Sequence, residues 1–489
     1  MADRRPCERA SGHRKHPIRF RPRPIAKHAR IQNHILRTAI MTIPKSQSSI
    51  LVLGITGLLA VTGQSYASGL QITEQSVTGL GRAFAGGSLV NDDVSAVYYN
   101  PADMMLSSGT QSQLGLIDID ISIKTSDGGS TMRLPANLGD LLTKPGTLPV
   151  FVTIPATGAP DNGGTNNLVP NGYFAMDIND QMRFGLGITA PFAVSTNYAR
   201  DWVGRYAAVD SEMKTVDINP SIAYRVNDNL SLGFGVSAQY LDVTLSRALF
   251  NPLSPTSDGY VENKGTDWGF GFNLGATYQF DPDTRVGLSY RSRIDYTLEG
   301  DATISNYLPG TNGTRGIRAD WIAPDWAALA FYKRLSPQWA VMSSLRWTNW
   351  SVFKDLQIDL ADGSGVLGVI NENWQDSWSV NLGVTYDYTP EWTFRAGYVY
   401  DQTPIRSAEY RHPSIPDSSR NAIGLGFSYH PDPKLSVDVG YMYISFAKSS
   451  TNEALDLVPS SYSGLFVEHL LVDYSASGNL FGLQASYRF

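Results

Sequence analysis

Between residues 68 and 489 the side chains able to exchange protons near neutral pH are three histidines, His412, His430 and His469, each in a separate segment. A serine nucleophile would need one of them beside a hydroxyl and an acid, and the chain carries no G-x-S-x-G string. His430, followed by Pro431 at the end of an alternating run, reads as an interfacial residue. The single cysteine, Cys7, excludes an intramolecular disulfide and a thiolate metal cluster. Asp92-Asp93, Asp118 and Asp120 offer oxygen ligands of the kind Ca²⁺ takes, but read better as solvated carboxylates. The G-x-G strings at 185–187, 233–235 and 269–271 lack the strand-to-helix setting of a phosphate loop. The expectation is no enzyme, no metal and no cofactor. One residue has a structural consequence instead. Pro191, inside 182–194, has no amide hydrogen for a neighbouring strand, so a ladder there either opens or simply ends at a rim.

Composition indicates which elements would carry these residues. The 489 residues are 42% hydrophobic and only 17% charged, with 45 Gly, 25 Tyr and 10 Trp, a balance that suits neither disorder nor an ordinary soluble enzyme. The longest apolar run, 50–61, is broken by Gly54, Thr56 and Gly57 and is too short for a spanning helix. Met41, Lys45, that run, and Ser65-Tyr66-Ala67 before Ser68 form a secretory signal over 41–67. Residues 1–40 hold eleven basic side chains against Asp3 and Glu8, and read as a basic leader or as sequence upstream of the true start at Met41. Without residues 1–67 the chain keeps 27 basic and 43 acidic residues, a net charge of −16 that repels nucleic acid.

From about Gln111 the pattern has a period of two. In 268–280 every even position is apolar or aromatic and every odd one is Gly or polar, and the same alternation recurs in 230–240, 378–388, 392–400, 423–429, 435–441 and 481–489. Runs of 11 to 13 residues with aromatics at their ends match strands that cross a bilayer at a tilt and exceed the usual soluble strand. Six short polar turns, at 179–180, 227–229, 281–283, 336–338, 389–391 and 432–434, join twelve strands; one more at each end makes fourteen. The fold expected is all-β, a 14-stranded antiparallel transmembrane barrel over 111–489, closed because lipid cannot satisfy an open edge. Residues 68–110 do not alternate and are expected to fill the lumen as a plug. The last strand ends on Phe489 and resembles the signal by which outer-membrane barrels reach their insertion machinery.

The strings Ser68-Gly69-Leu70-Gln71-Ile72-Thr73-Glu74, Gly79-Leu80-Gly81-Arg82-Ala83-Phe84 and Asn100-Pro101-Ala102 resemble the N-terminal hatch of the FadL family, outer-membrane transporters of long-chain fatty acids and other hydrophobic molecules. The likeness continues through Trp268-Gly269-Phe270-Gly271, Pro337-Gln338-Trp339-Ala340, Trp392-Thr393-Phe394-Arg395 and Ser414-Ile415-Pro416-Asp417. It implies a hatch-plugged barrel of the bacterial outer membrane. Ligand caught outside would enter an apolar lumen and leave sideways through a gap at an inward kink of the third strand, placed at Ala190, Pro191 and Phe192. Arg247 would match a pocket arginine for the ligand head group, although it could equally be a rim residue. A second basic residue of that pocket falls near Ile370, where this chain has no lysine.

The expected function is passive uptake of long-chain fatty acids or similar molecules. The expected partners are a hydrophobic small-molecule ligand, membrane lipid and lipopolysaccharide, and the insertion machinery, with the protein acting as a monomer. An importer of aromatic hydrocarbons, a general porin and a surface adhesin are the alternatives.

Overall fold

The structure is a computed structural model that describes residues 69–144, 146–458 and 463–489. The leader and signal expected over 1–67, and Ser68, lie outside the described residues.

Fourteen strands follow one another around a ring. They are β1 (Gln111–Asp127), β2 (Asn166–Asn179), β3 (Met182–Thr189 and Ala193–Asn197), β4 (Asp210–Arg225), β5 (Leu230–Leu249), β6 (Gly259–Asp281) and β7 (Thr284–Arg291 and Ile294–Ser305). Then come β8 (Gly313–Ala323 and Trp326–Arg334), β9 (Trp339–Thr348 and Asp355–Leu360), β10 (Val366–Asn371 and Ser377–Thr389) and β11 (Trp392–Asp401). The last are β12 (Arg420–Asp432), β13 (Leu435–Phe446 and Ser449–Asp456) and β14 (Val467–Arg488). Each pairs antiparallel with the next, and β1 pairs with β14 from Gln111–Arg488 to Asp127–Val472, which closes the barrel. A small hairpin, Thr131–Pro135 with Phe151–Pro155, decorates the first long connection.

All six short turns fall where the polar residues are. Asx geometry explains the choice: Asp281 Oδ1 accepts from the Asp283 amide at 2.8 Å, Asn227 Oδ1 from Asn229 at 2.9 Å and Asp432 Oδ1 from Lys434 at 2.7 Å.

The outward face carries the apolar set. On β6, Trp268, Phe270, Phe272, Leu274, Tyr278 and Phe280 are all exposed, Phe270 at 74%. From 268 to 280 the strand climbs about 28 Å at about 3.3 Å per residue and a tilt of about 45°, close to a hydrocarbon core. Rings mark the edges of this band: Trp339 lies 4.4 Å from Tyr386 and Trp392 4.7 Å from Tyr429 at the short-turn end, and Trp268 5.3 Å from Tyr240 at the other.

The third long connection is shorter than the sequence pattern suggests. The alternating runs stop at 240 and resume at 268, but β5 and β6 pair without a break to Leu249–Gly259. The reason is environment: above the band the outward positions are Asp242, Thr244, Glu262 and Lys264, suited to water, so the apolar signal on that face ends while the strands continue.

Candidate functional site

Residues 69–110 form no strand of the sheet. Helix α1 (Val77–Gly81) is capped by Ser76 Oγ, which accepts from the Gly79 amide at 2.9 Å; α2 (Ala96–Tyr99) leads into a 3-10 turn, Pro101–Leu106. Asn100 starts that turn: its Oδ1 accepts from the Ala102 amide at 3.2 Å, and Pro101 sits where a missing N–H costs nothing. The Asn100 Nδ2 donates to Thr277 Oγ1 at 3.2 Å, on the inward face of β6. This close seating requires glycine. A Cβ at Gly275 would lie 2.0 Å from Asn100 Oδ1, and one at Gly233 2.3 Å from the Ala102 amide nitrogen. Gly233, from the G-x-G string of β5, and Gly275 on β6 are thus the floor on which Asn100-Pro101-Ala102 rests, whereas Gly269 and Gly271 face Ile294.

Charge holds the same segment on the other side. Asp92 Oδ2 accepts from Arg82 Nη1 and from Arg395 Nε, each at 2.9 Å. Burial raises the Asp92 carboxyl, but the two guanidiniums outweigh it and hold the group below the usual carboxylate range. Asp93 accepts from Thr78 Oγ1 at 2.7 Å and from the Ser95 amide at 3.0 Å. The reading of Asp92-Asp93 as solvated is therefore corrected: both are committed to the segment's own fold.

At β3 the wall departs from its regular pattern. The β2–β3 ladder ends at the Gly172–Ile188 pair, although β2 goes on pairing with β1 as far as Asn166–Asp120. Across β3, Thr189 pairs with Asp217 and Ala193 with Lys214, so Ala190, Pro191 and Phe192 stand opposite two residues of β4 and form a bulge. The freed backbone turns to the N-terminal segment. The Ile72 amide donates to Pro191 O at 2.8 Å, the Ala193 amide to Leu70 O at 3.0 Å, and Gln75 Nε2 to Ala190 O at 2.8 Å. Phe192 points to the indoles of Trp321 and Trp350, edge to face at 5.7 and 6.3 Å. The sequence expectation of a break at Pro191 thus meets an interrupted ladder with residues on both sides of it, and not a strand end.

Two cavities adjoin this place. The inner one, about 780 Å³ including its open mouth, is almost wholly apolar, with Leu70, Val194, Val243, Trp321, Phe353 and Ile415 among its walls. The outer one contains Arg247, Tyr307, His412 and Glu453, and shares Leu245, Ile358 and Ile370 with the inner. Arg247 therefore faces inward into a cavity, not outward at the rim; its Nη1 donates to Tyr206 O at 3.2 Å. Where a second cation was looked for, Ile370 lines both cavities and the next side chain but one is Glu372, which accepts from Trp374 Nε1 at 2.7 Å. Burial raises the Glu372 carboxyl to about 8. His412 is buried and, with Arg247 near it, its pKa falls to about 3. Sequence reasoning missed both Glu372 and Glu453, whose place depends on pairing between distant segments.

A closed antiparallel barrel with an apolar outside, its N-terminal segment seated on the inward glycines, defines a transport protein of the outer membrane. The family model described as "Outer membrane protein transport protein (OMPP1/FadL/TodX)" matches residues 58–489, and the chain belongs to that family. The long-chain fatty acid transport protein of Salmonella typhi is 30% identical over 420 residues, covering 80% of this chain and 91% of that protein. Outer membrane protein P1 of Haemophilus influenzae is 29% identical over 467 residues, covering 89% and 98%. Among solved structures, a Pseudomonas aeruginosa FadL homologue matches with a TM-score of 0.75 at 27% identity, over 86% of this chain and 100% of that one. The Ralstonia pickettii toluene transporter TbuX, at 21% identity and a TM-score of 0.57 over 84% of this chain and 100% of that one, shares the fold.

Proposed function

We propose that this chain carries long-chain fatty acids or similar hydrophobic molecules passively from the cell exterior into the outer membrane, through an opening in its wall beside Ala190, Pro191 and Phe192. Residues 68–110 act as the hatch that keeps the lumen from leaking, anchored by Asn100, Pro101 and Ala102, and Arg247 meets the ligand head group. The observation that carries this reading is the end of the β2–β3 ladder at Gly172–Ile188 next to an apolar cavity that reaches Val194 on β3. Each station buries the tail at about 0.8 kcal/mol per CH₂, so transfer needs no energy source. Relatives named as long-chain fatty acid transport proteins support an acyl ligand.

Passage involves no reaction. His412 Nδ1 and Ser414 Oγ share a hydrogen bond of 3.0 Å, the nearest approach to a nucleophile and base. An imidazole whose pKa has fallen to about 3 is a poor acceptor for the serine proton. The protein works as a monomer, in contact with lipopolysaccharide and delivered by the insertion machinery.

Deleting Pro191 tests the opening. It leaves two residues opposite two on β4 and restores a straight register. In cells lacking their own transporter, uptake of labelled oleate is expected to fall about tenfold while the barrel stays folded; undiminished uptake by a folded deletion variant counts against the opening. Competing oleate with alkylbenzenes in the same cells distinguishes the acyl from the aromatic ligand.

A further inference from the structure

The outer cavity holds one cation and one acid that do not pair. Arg247, on β5, is partly exposed to the cavity and makes no ion pair among the described residues. Glu453, on the outer half of β13, lines the same void, and its Oε2 is buried without a hydrogen-bond partner. Both lie above the apolar band: on β13 the last large outward hydrophobe is Tyr443, and on β5 it is Tyr240 beside Trp268. A guanidinium without an ion pair and a carboxyl oxygen without a hydrogen-bond partner thus line one cavity.

We propose that Glu453 is a specificity-determining residue that, when ionised, competes with an anionic head group for Arg247, so that the cavity takes uncharged amphiphiles with both an acceptor and a donor across the whole pH range and anionic ones only under acidic conditions. The proposal rests on the transport reading above and specifies its ligand. An uncharged head such as a glycerol ester accepts from Arg247 and donates to Glu453. A permanent anion satisfies Arg247 but meets the Glu453 carboxylate as a like charge.

The surroundings decide when this happens. Burial pushes the Glu453 carboxyl up to about 7, against the pull of Arg247. The other groups bearing on it are Glu372 after the first half of β10, Glu468 and Tyr474 on β14, Arg411 and His412 in the connection before β12, Tyr307 after β7, and Asp456 on β13, whose Oδ2 accepts from the Gly464 amide at 2.9 Å. Burial raises Glu372 and Glu468 to about 8, so any charge they gain follows that of Glu453 and has the same sign. His412 is neutral throughout this range. As pH rises from 5.5 to 7.5, the acids around the cavity therefore change from neutral to negative, Glu453 among them. The sign is fixed: anion binding weakens as pH rises.

The experiment uses the purified mature protein in a nonionic detergent, with a hexadecyl sulfonate, whose head does not titrate in this range, and a monoacylglycerol of equal chain length as probes. From pH 5.5 to 7.5 the sulfonate is expected to lose about tenfold in affinity, the effect of one pKa unit of coupling. The monoacylglycerol is expected to stay level. Glu453→Gln should bind the sulfonate equally at both pH values, and Glu453→Asp should restore part of the dependence. Sulfonate binding that is level in the unaltered protein, or that keeps its slope in Glu453→Gln, overturns the proposal. Binding of neither probe overturns the transport reading, and the proposal with it.

Discussion

The wall between β5 and β6 and the wall between β2 and β3 obey the same requirement in opposite ways. The first pairs without interruption from Leu230–Tyr278 to Leu249–Gly259, and every amide in the membrane band is satisfied by the adjacent strand. The second stops at Gly172–Ile188, and beyond it the amides of Ala190 and Ala193 and the carbonyls of Ala190 and Pro191 find partners in Leu70, Ile72 and Gln75 from inside. An interrupted ladder in this wall is therefore tolerated where residues 70–75 supply the missing hydrogen bonds. On the proposed reading, the segment that acts as the hatch would also shape the opening.

The comparison breaks most severely on the regular side. Deleting Gly271 from β6 shifts Trp268 and Phe270, or else Phe272 and Leu274, onto the lumenal face, because one residue of slip inverts a period of two. No folded barrel is expected, read as loss of the heat-resistant compact band on a detergent gel. Deleting Pro191 should leave that band in place and reduce uptake alone; if both deletions abolish folding, the two walls do not differ as described.

A milder change sharpens the contrast at the bulge of β3. Gln75→Ala removes the donor to Ala190 O at 2.8 Å and the acceptor for the Ala190 amide at 3.3 Å. Stability is expected to fall by about 1–3 kcal/mol, the cost of leaving a buried polar group unmatched. Hydrogen exchange at Ala190 and Ala193 should quicken while β5 and β6 are unaffected. An unchanged exchange rate at Ala190 would mean that β3 holds its bulge without the lumenal segment.

Which of these features the sequence could reveal follows from what each one depends on. The outward face of 268–280 was legible because lipid imposes one chemistry on alternate residues, and the turns were legible because Asp281, Asn227 and Asp432 act on amides two residues away. Pro191 was legible as a break since its lost donor is intrinsic. What stood opposite it was not: Gln75 is 115 residues from Ala190. The reach of β5 and β6 above the membrane was hidden because water, unlike lipid, accepts Thr244 and Lys264 without a pattern. Arg247 could be proposed, yet Glu453 could not, because only the closed barrel brings β5 and β13 around one cavity.

The smallest effect belongs to the regular wall, where the lumenal segment is held most closely. Asp103 accepts from Ser88 Oγ at 2.6 Å, from Asn100 Nδ2 at 3.2 Å and from Thr277 Oγ1 on β6. Burial nonetheless raises its carboxyl from 3.8 to about 6, so the folded protein favours the protonated form. A group raised in this way costs nothing at low pH and destabilises as pH rises from the unfolded value through the folded one, with the full cost present above about 6. Asp103→Asn keeps an oxygen for Asn100 and Thr277, and offers an amide to Ser88, whose hydroxyl can accept. The variant should match the unaltered protein in melting temperature near pH 4 and exceed it by a few degrees at pH 8. An equal difference at both pH values would show that the carboxyl is ionised without cost, and that the seat of Asn100 on β6 is more polar than its burial indicates.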